Sequence, residues 1–294
     1  MFEPSLYVYP PIDDTQFPFY LDKQSYSEKG ETFRAHWHEH FELIFVERGT
    51  IGLICNGNEM SASEGDLLVL NPQDVHHLHS LTEQVDYYCL VFDLALLKTE
   101  LSDRVNSEFL QPLYHRQIMF DNKILLTREL THCCQALITE QDRQDIAYEL
   151  MIKSYLNQLI ALLIRTKKYT RLNQAQGRSR KKNQALIREV LTYLNHHYEN
   201  DVVLSDLAGQ FSVSQHHLCH LFKHYTNRSI IQYLNRLRIE KAMGLLLQGN
   251  QNITEVAYTV GFNDANYFSR TFKKLTSVTP RQWVSENQAL ECSL

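Results

Sequence analysis

A segment in the second half of the sequence occurs twice, and this repeat restricts the fold more than any other feature. The copies are LSDLAGQFSVSQHHLCHLFKHY (204–225) and ITEVAYTVGFNDANYFSRTFKKL (253–275). Each has the pattern of a short helix, a tight turn and a second helix. Ala208 and Ala257 allow close approach of the two helices, and Ser212 and Gly261 open the turns. The repeat predicts two helix-turn-helix units in an all-α domain.

The segment between the copies, SIIQYLNRLRIEKAMGLLLQGN (229–250), has the apolar spacing of one continuous helix. About 19 residues at 1.5 Å each would span roughly 28 Å. Asn252 and Glu255 have the spacing of a capping box, and Thr279-Pro280 predicts the start of a final helix that contains Trp283.

Charge is distributed unevenly along the chain. Residues 1–170 contain 14 Lys and Arg against 25 Asp and Glu, a net charge of −11, whereas residues 171–294 contain 15 against 9, a net charge of +6. An acidic first half joined to a basic second half indicates that only the second half binds a polyanion.

Residues 6–95 predict a small β-barrel or sandwich. Short apolar runs such as FELIFV, IGLIC, DLLVL and YYCLVFDL are separated by the turn-forming sequences ERGT, NGN, SEGD and NPQD. Asn56-Gly57 follows IGLIC directly and predicts a type I′ hairpin, because both central residues of that turn need positive φ angles.

From about residue 96 the apolar spacing becomes helical. Segment 148–169 carries a broad apolar stripe, which predicts a helix packed on the barrel, a dimerisation helix, or both. The polar and basic stretch TRLNQAQGRSRKK (170–182) predicts a linker. We therefore expect an α+β multidomain protein. Its predicted parts are a β-barrel domain (1–100), a helical dimerisation segment (101–169), the linker (170–182) and an all-α domain (183–294).

The stretch RAHWHEHFELIFVERG (34–49) has the densest chemistry of the first domain. Alternate side chains of an extended strand share a face, so His36, His38, His40 and Glu42 would point the same way. Converging imidazoles and a carboxylate can bind a transition metal. The same groups could instead line a cavity and form hydrogen bonds with a ligand, and the spacing by itself leaves both interpretations open.

Residues 183–287 resemble the DNA-binding domain of the AraC/XylS family of bacterial transcription regulators. The signature IxxVAxxVGFxDxxYFSRxFKKxxxxTPxxW is present almost in full at 253–283. The resemblance implies two recognition helices that enter adjacent major grooves, the first of which has no arginine on its reading face. The residues it assigns to DNA binding are Gln215, His216, Cys219, His220, Lys223, Ala265, Asn266, Tyr267, Arg270, Lys273, Lys274 and Arg281.

The first domain resembles the cupin-type sensor domain that is common in this family. The first cupin motif, G-x5-H-x-H-x3-E-x6-G, is matched by Gly30, His36, His38, Glu42 and Gly49. The fold implied by this resemblance is a cupin-like β-barrel.

The second cupin motif is degenerate. Gly65 begins it and His76 occupies its histidine position, whereas Asn71, Gln73 and Ser80 replace the usual proline, glycine and asparagine. In regulators of this family the resemblance implies a small-molecule pocket, so four residues are predicted to bind an effector. They are His36, His38, Glu42 and His76, which are also the four ligand types of a metal-binding cupin, and a divalent metal is the cofactor that this set could hold.

Together these features predict a ligand-responsive transcription regulator rather than an enzyme. The expected partners are promoter DNA, RNA polymerase, a small effector and a second copy of the chain in a homodimer, with no membrane. Aromatic and polar residues around the predicted barrel favour a carbohydrate effector, although most of them could equally pack in the core. The aromatic ones are Tyr26, Trp37, Tyr87 and Tyr88. The alternative is a metal-dependent cupin enzyme, or a metal sensor, fused to a DNA-binding domain.

A cytoplasmic location is expected from the lack of targeting features. The amino terminus MFEPSLYVYPPIDD has neither the basic region nor the apolar region of a signal sequence. The longest apolar run of the second half, LIALLI (159–164), is far shorter than a membrane span.

Overall fold

The computed structural model describes residues 12, 16–31, 34–98, 103–172, 177–249 and 251–291. The chain divides into two compact units, and the division falls between Ala185 and Leu186. Among the described residues, no helix combines the length and the apolar character needed to cross a membrane.

The first unit contains a five-stranded sheet with the order β1-β8-β3-β6-β10 and a four-stranded sheet with the order β2-β7-β4-β5. Neighbouring strands in both sheets are antiparallel. The strands are β1 (Phe19–Tyr26), β2 (Gly30–Glu31), β3 (Phe41–Arg48), β4 (Thr50–Cys55), β5 (Asn58–Ser63), β6 (Asp66–Leu70), β7 (His76–Ser80), β8 (Val85–Phe92) and β10 (Lys123–Leu125). The predicted β-barrel domain is confirmed.

Strand β3 is buried on both faces, and its alternation decides which residues enter the barrel. Ile44 and Val46 pack in the apolar core between the two sheets. Phe41 and Leu43 point the other way and pack in the core beneath the helices. Glu42 shares the parity of Ile44, so its carboxylate lies inside the barrel.

The predicted hairpin at Asn56-Gly57 is present. Both residues have positive φ angles, 49° and 81°, and the flanking residues Cys55 and Asn58 are paired across β4 and β5. These angles are those of a type I′ turn, whose twist matches the right-handed twist of the strands.

Two long helices cover the outer face of the five-stranded sheet. They are α2 (Arg128–Arg143) and α3 (Tyr148–Arg165), and short helical turns at Leu94–Leu97, Asn106–Leu110 and α1 (Gln111–Tyr114) precede them. The apolar stripe of α3 is buried in this core through Ile152, Leu156, Leu159, Ile160 and Leu163. The first of the two predicted roles of this helix, packing on the barrel, is therefore observed.

The strands and helices do not follow the predicted domain boundaries. Strand β10 lies within the segment 101–169, which we predicted to be helical, and completes the five-stranded sheet. Within the predicted linker, β11 (Tyr169–Arg171) pairs with β9 (Ile118–Phe120), and α4 (Gly177–His196) begins at Gly177. Backbone pairing does not require apolar side chains, so the polar composition of 170–182 did not reveal these elements. Residues 173–176 lie outside the described residues.

The second unit has the predicted double helix-turn-helix. Its helices are the second half of α4, α5 (Leu204–Gln210), α6 (Gln215–Thr226), α7 (Ile230–Gln248), α8 (Ile253–Thr259), α9 (Ala265–Thr276) and α10 (Pro280–Glu291). Ser229 and Asn252 close capping boxes with Gln232 and Glu255 at the starts of α7 and α8. The predicted continuous helix between the repeats is thus α7.

The turns between the paired helices need residues that accept left-handed backbone angles. Ser212 has a φ angle of 54° and Gly261 has one of 91°. A Cβ atom at Gly261 would lie 2.5 Å from the carbonyl oxygen of Glu199 and 2.7 Å from that of Tyr198. Glycine is therefore needed at position 261 for two reasons, the left-handed backbone angle and the lack of space for a Cβ atom.

We expect Gly261→Ala to lower the free energy of unfolding of the second unit by about 2–4 kcal/mol, through left-handed strain and crowding against the Glu199 carbonyl. Gly209→Ala is the matched control, because a Cβ there meets nothing within 4 Å and the residue lies in α5. It should stabilise by about 0.4–1 kcal/mol. Urea unfolding followed by Trp283 fluorescence in a Trp37→Phe background measures the unfolding free energy of both variants. Equal effects of the two substitutions would contradict the special role of Gly261 in its turn.

Candidate functional site

The first recognition helix, α6, has one buried face and one exposed face. Leu218, Leu221 and Phe222 are buried against the rest of the second unit. The predicted DNA-binding residues Gln215, His216, His220 and Lys223 are exposed, and Cys219 is half-buried. The exposed side chains therefore form one face, which is polar and rich in histidine.

The second recognition helix, α9, repeats this division with more positive charge. Phe268 and Phe272 are buried. Six of the predicted residues are exposed and Ala265 is half-buried; the exposed ones are Asn266, Tyr267, Arg270, Lys273, Lys274 and, on α10, Arg281.

The position of Tyr267 depends on α7, which the sequence did not indicate. The side-chain amide of Asn235 donates a hydrogen bond of 2.7 Å to the Tyr267 hydroxyl. The Tyr267 ring also packs on Phe262, with 5.8 Å between the ring centroids. Asn235 thus fixes the orientation of an exposed aromatic side chain on the predicted DNA-binding face.

In the first unit the four predicted effector residues come together inside the barrel, in a group that we call the histidine cluster (His36, His38, His76 and Glu42). Glu42 Oε2 lies 3.0 Å from His38 Nε2 and 3.2 Å from His76 Nε2. The rings of His36 and His76 have centroids 4.3 Å apart. Glu42 and His76 are each 1% exposed, so the cluster is enclosed by protein.

The backbone around the cluster differs from the single continuous strand that we predicted. Strand β3 begins only at Phe41, and His36 instead forms an isolated bridge with His76 on β7. His40 does not belong to the cluster of imidazole ligand atoms, which contains His36, His38 and His76. The chain bends before β3, and His36 pairs with β7. The His40 ring still lies 5.9 Å from that of His38, but its nitrogens do not converge with those of the other three histidines.

The charges of the cluster stabilise one another. Burial by itself would raise the pKa of Glu42, but hydrogen bonds from His38 and His76 outweigh it and hold the pKa well below its usual range. Burial would lower the pKa of His76, and the hydrogen bond to Glu42 outweighs it, so this pKa is raised. The pKa of His36 is lowered by burial and by the neighbouring imidazoles. The cluster thus favours a Glu42 carboxylate facing a protonated His76.

The three imidazoles are oriented as metal ligands would be. Each Nδ1 atom faces a backbone carbonyl, with His36 on Arg34 at 2.9 Å, His38 on His40 at 3.2 Å and His76 on Asp74 at 2.8 Å. A carbonyl only accepts, so each Nδ1 carries a hydrogen. Each Nε2 would supply its lone pair to a metal once it has lost the proton that it shares with Glu42 or a neighbouring group.

The spacing of the imidazoles also fits a metal ion. The ligand atoms of the three histidines lie within 4.8 Å of one another, and two nitrogens each bound at about 2.0–2.1 Å to one ion lie within about 4.2 Å. Small movements would therefore complete a site of three nitrogens and the Glu42 carboxylate.

Two further groups lie inside the barrel, and the first of them, the Cys89 thiol, was not identified from the sequence. The Cys89 thiol donates to Glu42 Oε1 at 3.3 Å. The Tyr87 ring, two residues earlier on β8, stacks on Tyr26 with 6.1 Å between centroids. The alternation of β8 was the signal that could have found them. It also places Tyr88, one of the aromatic residues predicted around the barrel, outside it against Phe45.

Comparison with known families agrees with this division into a sensor and a DNA-binding unit. Residues 18–160 match the family model described as an AraC-like ligand binding domain, and residues 207–286 match the one described as a helix-turn-helix domain. The chain belongs to the AraC family of transcription regulators. It is accordingly a ligand-responsive regulator that binds DNA through its helix-turn-helix domain.

Relatives of similar length support the assignment. The HTH-type transcriptional activator RhaS of Klebsiella pneumoniae (strain 342) is 26% identical over 255 residues, which cover 85% of this chain and 86% of that protein. The uncharacterized HTH-type transcriptional regulator YbfI of Bacillus subtilis (strain 168) is 24% identical over 251 residues, covering 84% and 86%. A solved structure of ToxT from Vibrio cholerae shares the fold, with a TM-score of 0.50 at 14% identity over 90% of this chain and 97% of that one.

Proposed function

We propose that this protein is a transcription activator that reads promoter DNA with α6 and α9 and responds to a carbohydrate bound at the histidine cluster. The observation that carries the proposal is the pair of recognition helices, each with a buried apolar face and an exposed polar face. The protein, bound at the promoter in the cytoplasm, would activate transcription by contacting RNA polymerase. In vitro transcription with purified polymerase from a promoter that contains the selected site tests this, and an unchanged transcript level would contradict activation.

The spacing of the recognition helices supports binding to adjacent major grooves. Helix α7 has 19 residues and joins the two helix-turn-helix units. At 1.5 Å per residue it spans roughly 28 Å. Successive major-groove faces on one side of B-DNA lie about 34 Å apart.

The residues divide into two kinds of contact. Lys223, Lys273, Lys274 and Arg281 suit phosphate groups, which position a protein on DNA without reading its sequence. Arg270 is exposed on α9 and suits a guanine, because its guanidinium can donate two parallel hydrogen bonds.

Arg270→Ala should weaken binding to a selected duplex by about 1–3 kcal/mol and reduce discrimination against random DNA. Lys273→Ala, one turn away, should weaken both duplexes equally and lower the salt dependence by about one released counter-ion. The duplex is obtained by in vitro selection with the full chain, and fluorescence anisotropy at several salt concentrations gives the dissociation constants. Equal losses on both duplexes for Arg270→Ala would remove Arg270 from the base-reading residues.

A carbohydrate fits the chemistry inside the barrel. Imidazoles and a carboxylate can bind hydroxyl groups, and the stacked Tyr26 and Tyr87 rings lie on the same side of β8 as Cys89, which contacts Glu42. A divalent metal on the three imidazoles could hold such hydroxyls directly. Because the relatives are described as activators and regulators, we favour sensing over catalysis at this cluster.

His38→Ala should remove the thermal stabilisation by an effector sugar and weaken metal binding by about 10- to 100-fold or more. His40→Ala is the matched control, since His40 lies two residues away and outside the cluster. Thermal shift against a panel of sugars and mass spectrometry of bound metal measure the two effects. A full sugar response in His38→Ala would contradict the assignment, and turnover of a sugar by the parent would favour the metal-dependent enzyme instead.

The surface near the start of α3 supports a homodimer. Ile146, Leu150 and Met151 are 101%, 69% and 39% exposed, although the opposite face of the same helix is buried. Apolar side chains grouped at one place on a surface are typical of an interface.

Leu150→Asp should shift the full chain from dimer to monomer, because burial of the new carboxylate would oppose association. Leu125→Asp is the control, since Leu125 is 74% exposed on β10. Sedimentation velocity at tens of micromolar separates the species. A monomeric parent would overturn the homodimer, and a dimeric Leu150→Asp variant would place the interface elsewhere.

A further inference from the structure

One buried carboxylate organises the loop between β6 and β7. Asp74 is 3% exposed and accepts hydrogen bonds at both oxygens. Oδ1 accepts from Asn56 Nδ2 at 2.7 Å, and Oδ2 accepts from the backbone and side chain of Asn71 and from Asn122 Nδ2, at 3.0, 3.2 and 3.3 Å. Loop 71–75 is therefore held from several sides and can move only if these bonds change together.

The same loop contacts the histidine cluster through its backbone. The carbonyl oxygen of Asp74 accepts the hydrogen bond from His76 Nδ1 at 2.8 Å. The backbone N–H of Gln73 donates to the carbonyl oxygen of His38 at 2.7 Å. A ligand that reorients His76 or His38 would therefore act directly on loop 71–75.

The side chain of Gln184, on α4, reaches the other side of this loop. Its Nε2 lies 2.8 Å from Asn56 Oδ1, 2.9 Å from the carbonyl oxygen of Gln73 and 3.4 Å from Asp74 Oδ1. Gln184 is only 8% exposed, whereas Lys182, two residues before it, is exposed. All of these groups belong to the first unit, but α4 continues to His196 in the second.

We propose that Gln184 is the positioning residue through which ligand binding at the histidine cluster is transmitted to α4, by the path His76, loop 71–75, Gln184. The inference rests on the proposed function in one respect, namely that the cluster binds the effector. An amide has two N–H hydrogens, and here three acceptors surround it, so a shift of the loop changes which bonds Gln184 can keep. Helix α4 then carries the change along the chain into the DNA-binding unit.

Substitutions at His76 separate this path from a general loss of structure. His76→Asn places an amide nitrogen near the position of Nδ1 and can still donate to the Asp74 carbonyl. His76→Gln extends its amide toward the position of Nε2 and withdraws that donor. The two variants remove the same ring and keep opposite contacts, because Asn retains the donor to the Asp74 carbonyl and Gln retains the one that faces Glu42. Only loss of the Asp74 contact interrupts the proposed path.

Amide hydrogen exchange of the full chain measures the effect on α4 without DNA or effector. His76→Gln should speed exchange over residues 182–188 by roughly 5-fold or more, the lower end of allosteric coupling, whereas His76→Asn should stay near the parent. In a Gln184→Ala background, exchange there should already be faster, and His76→Gln should add nothing. Lys182→Ala, on the same helix turn, is the control and should leave loop 71–75 unchanged.

The result that would overturn the inference is no change over 182–188 in His76→Gln, or an equal change with and without Gln184. In either case Gln184 is a structural contact only. Circular dichroism shows whether each variant is folded. If His76→Gln does not fold, the experiment uses Gln184→Glu instead. That carboxylate would face the oxygens of Asn56, Gln73 and Asp74, and should speed exchange in loop 71–75 if the path exists.

Dissociation constants for a selected duplex complete the test. In the full chain, His76→Gln and Gln184→Ala should change DNA affinity by the same factor, alone or combined, because both interrupt one path. Factors that multiply would contradict it. If the full chain selects no duplex at all, the proposed DNA-binding function fails, and hydrogen exchange still decides the role of Gln184.

Discussion

A carboxylate buried between two sheets sets the organisation of the first unit. Glu42 is 1% exposed, and an uncompensated charge at such a position would cost several kcal/mol. Its partners are His38 from the bend before β3, His76 from β7 and Cys89 from β8. These residues come from both sheets, so the barrel must close with this register for the charge to be compensated.

The same principle extends outward from the cluster. The imidazole nitrogens that face away from Glu42 meet backbone carbonyls, and one of these belongs to Asp74, which is itself buried and surrounded by amide donors. Polar groups inside this unit therefore form a connected network rather than isolated pairs. A displacement of one group in such a network changes the hydrogen bonds of its neighbours.

In the second unit the two helix-turn-helix motifs share a backbone plan but differ in surface charge. Helix α9 exposes Arg270, Lys273 and Lys274, whereas α6 exposes Lys223 among histidines. Electrostatic attraction to phosphates depends on the number of cations near the backbone. If both helices contact DNA as proposed, α9 supplies more of the electrostatic attraction to phosphates and α6 contributes mainly hydrogen bonds.

The sequence by itself determined the elements whose signals are local. Spacing of apolar residues and caps gave the helices of both repeats, and Asn56-Gly57 gave the hairpin, because these depend on neighbours within a turn or two of chain. The resemblance to the two cupin motifs also named the four residues of the histidine cluster. Tertiary structure alone decided that His40 lies outside the cluster, that Cys89 and Tyr87 lie inside the barrel, and that Gln184 reaches Asp74. It also decided that β9, β10 and β11 pair across distant parts of the chain. The physical reason is that such contacts join residues up to 128 positions apart, and backbone pairing or one buried amide leaves no periodic pattern in the sequence.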